Sequence, residues 1–298
     1  MRNNSKNIVY GKKIMIQTLE TFQKQHDMLL CMDSDGTVID AMNAKHNRCH
    51  GEAFIEEWSL QDHAHEIQTI WNEINLYEKS RGVNRFIALE EMLRRLEGRY
   101  LHTDGNEYGK LQSWINKGDL SNNSLQTEIQ SNPGPLLEKA MRWSLSLNKK
   151  IAELTPEDKP PYPGVREALD YALGKLDIAV ISSSNMSAIL EEWQAHDLLS
   201  YPSVITSQEI GTKEACIAAL LQKGYAPDHV LMIGDAYPDV EAALANGVWY
   251  YPIFTRREGE SWIEFRETYL DIFLSGNYRA FSGALMEKFE NNFNTQGA

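Results

Sequence analysis

The chain has 298 residues, 42% of them hydrophobic and 24% charged, which excludes a disordered or low-complexity protein and leaves room for one large or two modest cores. Its formal net charge of -13 repels phosphate polymers and anionic lipid, so neither nucleic acid nor a membrane surface is an expected partner. The three cysteines, Cys31, Cys49 and Cys216, are scattered and form no CxxC pair, which argues against a disulfide framework or zinc site and for a reducing compartment.

Met1 to Asp27 carries scattered lysines, no long apolar run and no small-residue cleavage pattern, and no stretch reaches the roughly 18 apolar residues of a membrane helix. A cytoplasmic protein is expected. Gly11-Lys12-Lys13 lacks the glycine-rich lead-in of a nucleotide loop. The first strand is read at Met28 to Met32, an apolar run ending at Asp33. Similar runs follow at Ile178 to Ile181, Val204 to Thr206, Val230 to Ile233 and Val248 to Ile253; short, almost wholly apolar runs of this kind suit buried parallel strands. Between them helices are expected at Val165 to Leu176, Met186 to His196, Lys213 to Lys223 and Asp239 to Asn246, the last closed by Gly247. The alternation predicts an α/β fold with a doubly wound parallel sheet.

Well over a hundred residues separate the first two strands, too many for one crossover, and they have helical periodicity. Segments at Glu52 to Trp58, Glu66 to Tyr77, Asn84 to Leu96, Glu107 to Asn116 and Pro135 to Leu154 point to an inserted helical domain over residues 41–160, with the core in 1–40 and 161–298. Pro156, Pro160, Pro161 and Pro163-Gly164 make its exit stiff. The tail from Thr255 to Phe293 holds an amphipathic helix with Trp262, Phe265, Tyr269 and Phe273 near one side, expected to pack on the core.

The chemistry lies at the strand ends. Asp33-Ser34-Asp35-Gly36-Thr37 follows the first strand and Gly234-Asp235-Ala236-Tyr237-Pro238-Asp239 follows the fourth. Open parallel sheets bind ligands at the carboxyl ends of their strands. Carboxylates gathered there raise one another's pKa, a cost a divalent cation relieves, and oxygen ligands of this kind suit Mg²⁺. Asp239 reads equally well as the cap of the helix after it. Ser182 and Ser183 end the second strand, where a hydroxyl and backbone N–H groups can hold phosphate oxygens or simply cap a helix. Lys213 opens a helix and could neutralise a phosphate and a carboxylate together.

These four motifs, in this order, resemble the haloacid dehalogenase (HAD) superfamily, whose signatures are DxDGT, a strand-ending Ser or Thr, a Lys and GDxxxD. The long insert after the first motif resembles the helical cap of the phosphoglycolate phosphatase and β-phosphoglucomutase group, which would close over the substrate. The resemblance implies Asp33 as nucleophile, Asp35 as general acid and base, and Ser182, Ser183 and Lys213 as phosphate-binding. It implies Mg²⁺ held by Asp33, the Asp35 backbone carbonyl and Asp235, with Asp239 acting through water. The expected activity is hydrolysis of a small phosphorylated metabolite; a phosphomutase is the alternative, and a receiver-like signalling module a more distant one. Asp35 argues against dehalogenation and phosphonate cleavage, because family members with those activities lack an acid there.

Other clusters in the insert have plainer readings. His46 with His50, and His63 with His65, are expected at surface or capping positions. Lys45, Arg81, Arg85, Arg94, Arg95 and Arg142 could reach a second substrate charge, but most are expected to pair in solvent with the insert's glutamates. Trp58, Trp71, Trp114 and Trp143 are read as bundle core.

Overall fold

The computed structural model describes residues 17–294; the N-terminal features before residue 17, including Gly11-Lys12-Lys13, lie outside the described residues. Apolar runs bury as strands where the sequence places them: β1 Leu29–Met32, β2 Asp177–Ile181, β3 Val204–Thr206, β4 Val230–Gly234 and β5 Trp249–Pro252. They form one sheet in the order β3-β2-β1-β4-β5, parallel at every pairing. The chain winds outward through β2 and β3 on one side of β1, then returns to β4 and β5 on the other. This is a doubly wound α/β sheet, and its order reverses between β1 and β4, the point where such sheets open a crevice.

At the opposite end of β2, Asp177 fixes the entry to β1. Its Oδ2 accepts from the amides of Gln25 and His26, both at 2.9 Å, and from the Tyr225 hydroxyl.

The residues group into two compact units. The sheet unit runs to Ile39 and includes Pro161–Asp235 and Asp239–Met286. Its helices are Val165–Ala172, Met186–Ala195, Lys213–Leu221 and most of Tyr237–Asn246. The first of these is shorter than expected, because Gly174 turns the chain at positive φ and Leu173 bridges to Leu176. Trp262, Phe265, Tyr269 and Phe273 of the tail are all buried in this unit. The Tyr251 ring of β5 lies 4.9 Å from Phe265 and 5.3 Å from Tyr269.

The second unit comprises Asp40–Pro160, Ala236–Pro238 and the chain from Glu287. Trp71, Trp114 and Trp143 are fully buried in its core and Trp58 packs against it, as the periodicity predicts. Phe86 meets Trp114 edge-on at 4.9 Å. Each such ring withdraws roughly 150–250 Å² from water, on the order of 5 kcal/mol at about 25 cal/mol per Å², before conformational entropy is set against it.

Four features of this unit depart from the sequence expectation. The helix Asn122–Ser131 is new: only Leu125 and Glu128 are buried on it, too few apolar positions to give a periodic signal. His46 and His50 are not surface or capping residues but buried, their rings 4.3 Å apart, with His46 Nδ1 accepting from Trp71 Nε1 at 3.1 Å. Arg94, Arg95 and Arg142 pair with glutamates as expected, whereas Arg81 is buried and donates to the Leu76 carbonyl and Arg85 donates to Ser144 and Asn148. Finally, the chain from Glu287 joins the helices rather than the sheet. Phe289 and Phe293 pack 5.4 and 5.7 Å from the Tyr237 ring, and Glu290 accepts from the Tyr237 hydroxyl at 2.7 Å and pairs with Lys79 at 2.9 Å.

Candidate active site

Register brings two of the aspartates together. Met32 of β1 faces Ile233 of β4, and the ladder extends one residue further, with the Asp33 amide donating to the Ile233 carbonyl at 3.0 Å. Asp33 therefore stands at the tip of β1 just where β4 ends in Gly234 and Asp235. After Asp33 the chain folds back sharply: Val38 and Ile39 amides both donate to the Ser34 carbonyl at 2.9 Å, and the Gly36 amide donates to Ile39 at 2.8 Å. Gly36 has φ of 84°, a conformation that disfavours any side chain.

The third carboxylate comes from a helix. Asp239 was open to reading as a cap, but its helix starts at Tyr237, so it sits in the first turn and turns inward. It is fully buried, and its carboxylate fills the space a Cβ on Gly234 would occupy. One carboxylate oxygen from each of Asp33, Asp235 and Asp239 lies within 4.8 Å of the others, all three residues buried. This all-oxygen donor set fits a hard divalent cation.

Lys213 completes the group. Thr212 caps its helix by accepting from the Ala215 amide at 3.2 Å, which leaves Lys213 as the first helical residue, with 10% of its side chain exposed. Its Nζ lies 2.9 Å from Asp33 Oδ1 and 2.6 Å from Asp239 Oδ1. Burial pushes the Asp33 carboxyl well above the usual carboxylate range, Lys213 opposes this, and Asp239 and Asp235 add to it. For Lys213 burial acts downward, but Asp239 and Asp33 outweigh it and hold the ammonium above its usual value. Lys213 thus answers Asp33 and Asp239 directly, and carboxylates gathered this closely favour a further positive charge beside them.

Asp35 is held from the turn that follows β2. Its Oδ2 accepts from Ser184 Oγ at 2.9 Å. Ser182, at the end of β2, is buried and its Oγ accepts from the Ser184 amide at 3.1 Å; Ser183 is exposed. The structure thus gathers Asp33, Asp235, Asp239 and Lys213 in one cluster and links Asp35 to the Ser182 turn.

Sequence reading missed four contributors. Ser184 sits in a serine run that gives no reason to prefer it over Ser183. Thr37 donates to Asp235 Oδ1 at 2.6 Å, a role that its place in the first motif only hints at. Trp193 Nε1 donates to Ser34 Oγ at 2.9 Å, and Trp262 Nε1 to the Thr37 carbonyl at 2.7 Å; no local pattern marks either indole.

A family model described as haloacid dehalogenase-like hydrolase matches residues 28–247. No curated protein matches the chain. Among solved structures, a HAD-superfamily hydrolase of subfamily IA, variant 1, from Geobacter sulfurreducens is 16% identical over 76% of this chain and 86% of its own, with a TM-score of 0.38. A haloacid dehalogenase-like family protein from Streptococcus pneumoniae is 14% identical over 80% and 90%, TM-score 0.42. A predicted phosphoglycolate phosphatase from Haemophilus somnus is 14% identical over 76% and 85%, TM-score 0.40. The family match runs from the start of β1 past the helix that carries Asp239, and the chain belongs to the haloacid dehalogenase-like hydrolases.

Proposed function

We propose that this hydrolase is a Mg²⁺-dependent phosphatase that cleaves a small phosphorylated metabolite through an aspartyl phosphate on Asp33. The observation that carries the reading is the buried triad of Asp33, Asp235 and Asp239 with Lys213 bridging two of its members. Mg²⁺ would be held by Asp33 and Asp235, with Asp239 and the Asp35 carbonyl as further oxygens, and when bound it would supply positive charge to a transferring phosphoryl group.

The rest is done by the chain's own residues. The Asp33 carboxylate attacks phosphorus; a new P–O bond forms as the ester P–O bond breaks, and the departing alcohol oxygen takes a proton from the Asp35 carboxyl. Asp35, now ionised, removes a proton from water as that oxygen bonds to phosphorus. The Asp33 phosphate link breaks, releasing inorganic phosphate and restoring both aspartates. Lys213, 2.9 Å from Asp33, would steady the equatorial phosphoryl oxygens along with Ser182 and the amides around Ser183. The Ser184 bond to Asp35 orients the acid through both steps.

Phosphate release from a panel of small phosphate monoesters, measured for wild type and Asp33→Asn with Mg²⁺ and with EDTA, tests this. Release that needs Mg²⁺ and vanishes in Asp33→Asn is expected. Release that survives the substitution would remove Asp33 as nucleophile, and phosphoryl return to a sugar phosphate with little free phosphate would replace hydrolysis by a mutase reaction.

A further inference from the structure

Trp262 lies in the helix Glu258–Glu264, beyond the stretch from 28 to 247 that the family model matches. It is fully buried, and an indole N–H can only donate, so burial obliges it to find an acceptor. It finds one in the first motif: Nε1 donates to the Thr37 carbonyl at 2.7 Å. Thr37, also fully buried, passes the constraint on through its hydroxyl, which donates to Asp235 Oδ1 at 2.6 Å. One hydrogen bond fixes the Thr37 backbone and the other fixes a carboxylate of the cation triad.

The helix is anchored so that it can act as a brace. The Tyr251 hydroxyl of β5 donates to the Ser261 carbonyl at 2.7 Å, and Ser261 Oγ accepts from the Phe254 amide at 3.0 Å. Phe265 meets the Trp262 ring edge-on at 5.8 Å, closing the indole in its slot. A donor so confined has little freedom to follow Thr37 if that residue moves; Thr37 must come to it.

We infer that Trp262 is a positioning residue for the cation site, setting the orientation of Asp235 through Thr37. The inference rests on the reading of Asp235 as a Mg²⁺ ligand. Groups that orient a metal ligand from outside the coordination shell typically hold about 10–100-fold of metal affinity.

The test is Mg²⁺ binding to the full chain, followed without turnover by calorimetric titration and by the Mg²⁺-dependent rise in thermal midpoint. Trp262→Phe keeps a ring and removes the donor; Mg²⁺ should bind about tenfold more weakly or worse. Phe273→Leu, at a fully buried ring of the same unit that is outside the relay, should lower the midpoint and keep wild-type Mg²⁺ affinity. Thr37→Val removes only the hydroxyl donor and should weaken Mg²⁺ binding as Trp262→Phe does, which keeps the test decisive should the tryptophan variant fail to fold. Wild-type Mg²⁺ affinity in Trp262→Phe or in Thr37→Val overturns the relay while leaving the magnesium site standing. Absence of any Mg²⁺ binding by wild type overturns both.

Discussion

Lys213 sits closer to Asp239 than to the proposed nucleophile: its Nζ is 2.6 Å from Asp239 Oδ1 and 2.9 Å from Asp33 Oδ1. Asp239 is fully buried, so the ammonium is as much the counter-ion of a structural carboxylate as a partner for phosphate. Removing one member of a buried ion pair typically costs about 3–5 kcal/mol because the other charge stays behind. Lys213→Met should therefore lose stability of about that size in EDTA and recover part of it in Mg²⁺. Urea unfolding under both conditions checks this, and equal stability of variant and wild type in EDTA would contradict it.

Gly234 is required by the Asp239 carboxylate, which occupies the place of its Cβ. Gly234→Ala must push Asp239 away from Lys213 and from the triad. Overpacking of this kind costs about 1–3 kcal/mol, and the expected result is a folded protein with weakened Mg²⁺ binding and little phosphatase activity. A variant with wild-type turnover would show that Asp239 does not need its observed position.

Asp35→Asn keeps the size of the side chain that Ser184 contacts but cannot give up a proton as a carboxylic acid does. General acid–base groups typically contribute 10²–10⁴-fold, so kcat on a simple phosphate monoester should fall by about that factor. Esters with acidic leaving alcohols, which depart without a proton, should be less affected in the first step. Because kcat/KM reports only the steps up to release of the alcohol, its values across a series of leaving groups make the comparison, and equal losses in kcat/KM across the series would remove Asp35 as the acid.

His50 offers a pH dependence independent of the aspartates. Burial, then the charges of His46, Arg85 and Lys45, hold its imidazole well below the ordinary histidine value. In the unfolded chain it protonates near pH 6.5, so below that pH the unfolded state binds a proton the folded state refuses. Stability must then fall as pH drops below about 6.5, by at most about 1.4 kcal/mol per pH unit from this residue. His50→Phe should unfold with a shallower dependence between pH 7 and 5. Parallel curves for wild type and variant would count against a neutral, buried His50.

Much of this arrangement is local and was therefore readable. A buried parallel strand needs only a short apolar run, and β1, β2, β3 and β4 announce themselves that way, each within a residue of its observed ends. The aspartates that follow β1 and β4 stand at strand tips because the chain leaves the sheet there, and the motifs identify the family for the same reason. The bundle core around Trp71, Trp114 and Trp143 follows from helical spacing. The helix Asn122–Ser131 did not, since a helix that buries so few side chains leaves no periodic trace.

Local sequence settles which residues end the strands and which chemistry they can carry; which of them meet depends on how the chain packs. The strand order that sets β1 beside β4 brings Asp33 to Asp235, and the first turn of a helix swings Asp239 onto Lys213. Ser184 rather than Ser183 reaches Asp35, and the indoles of Trp193 and Trp262 find Ser34 and the Thr37 carbonyl across more than a hundred residues of chain. The physical reason is that backbone preference acts over a few neighbouring residues, whereas hydrogen-bond partners of buried side chains are chosen by whatever the packed fold leaves within reach.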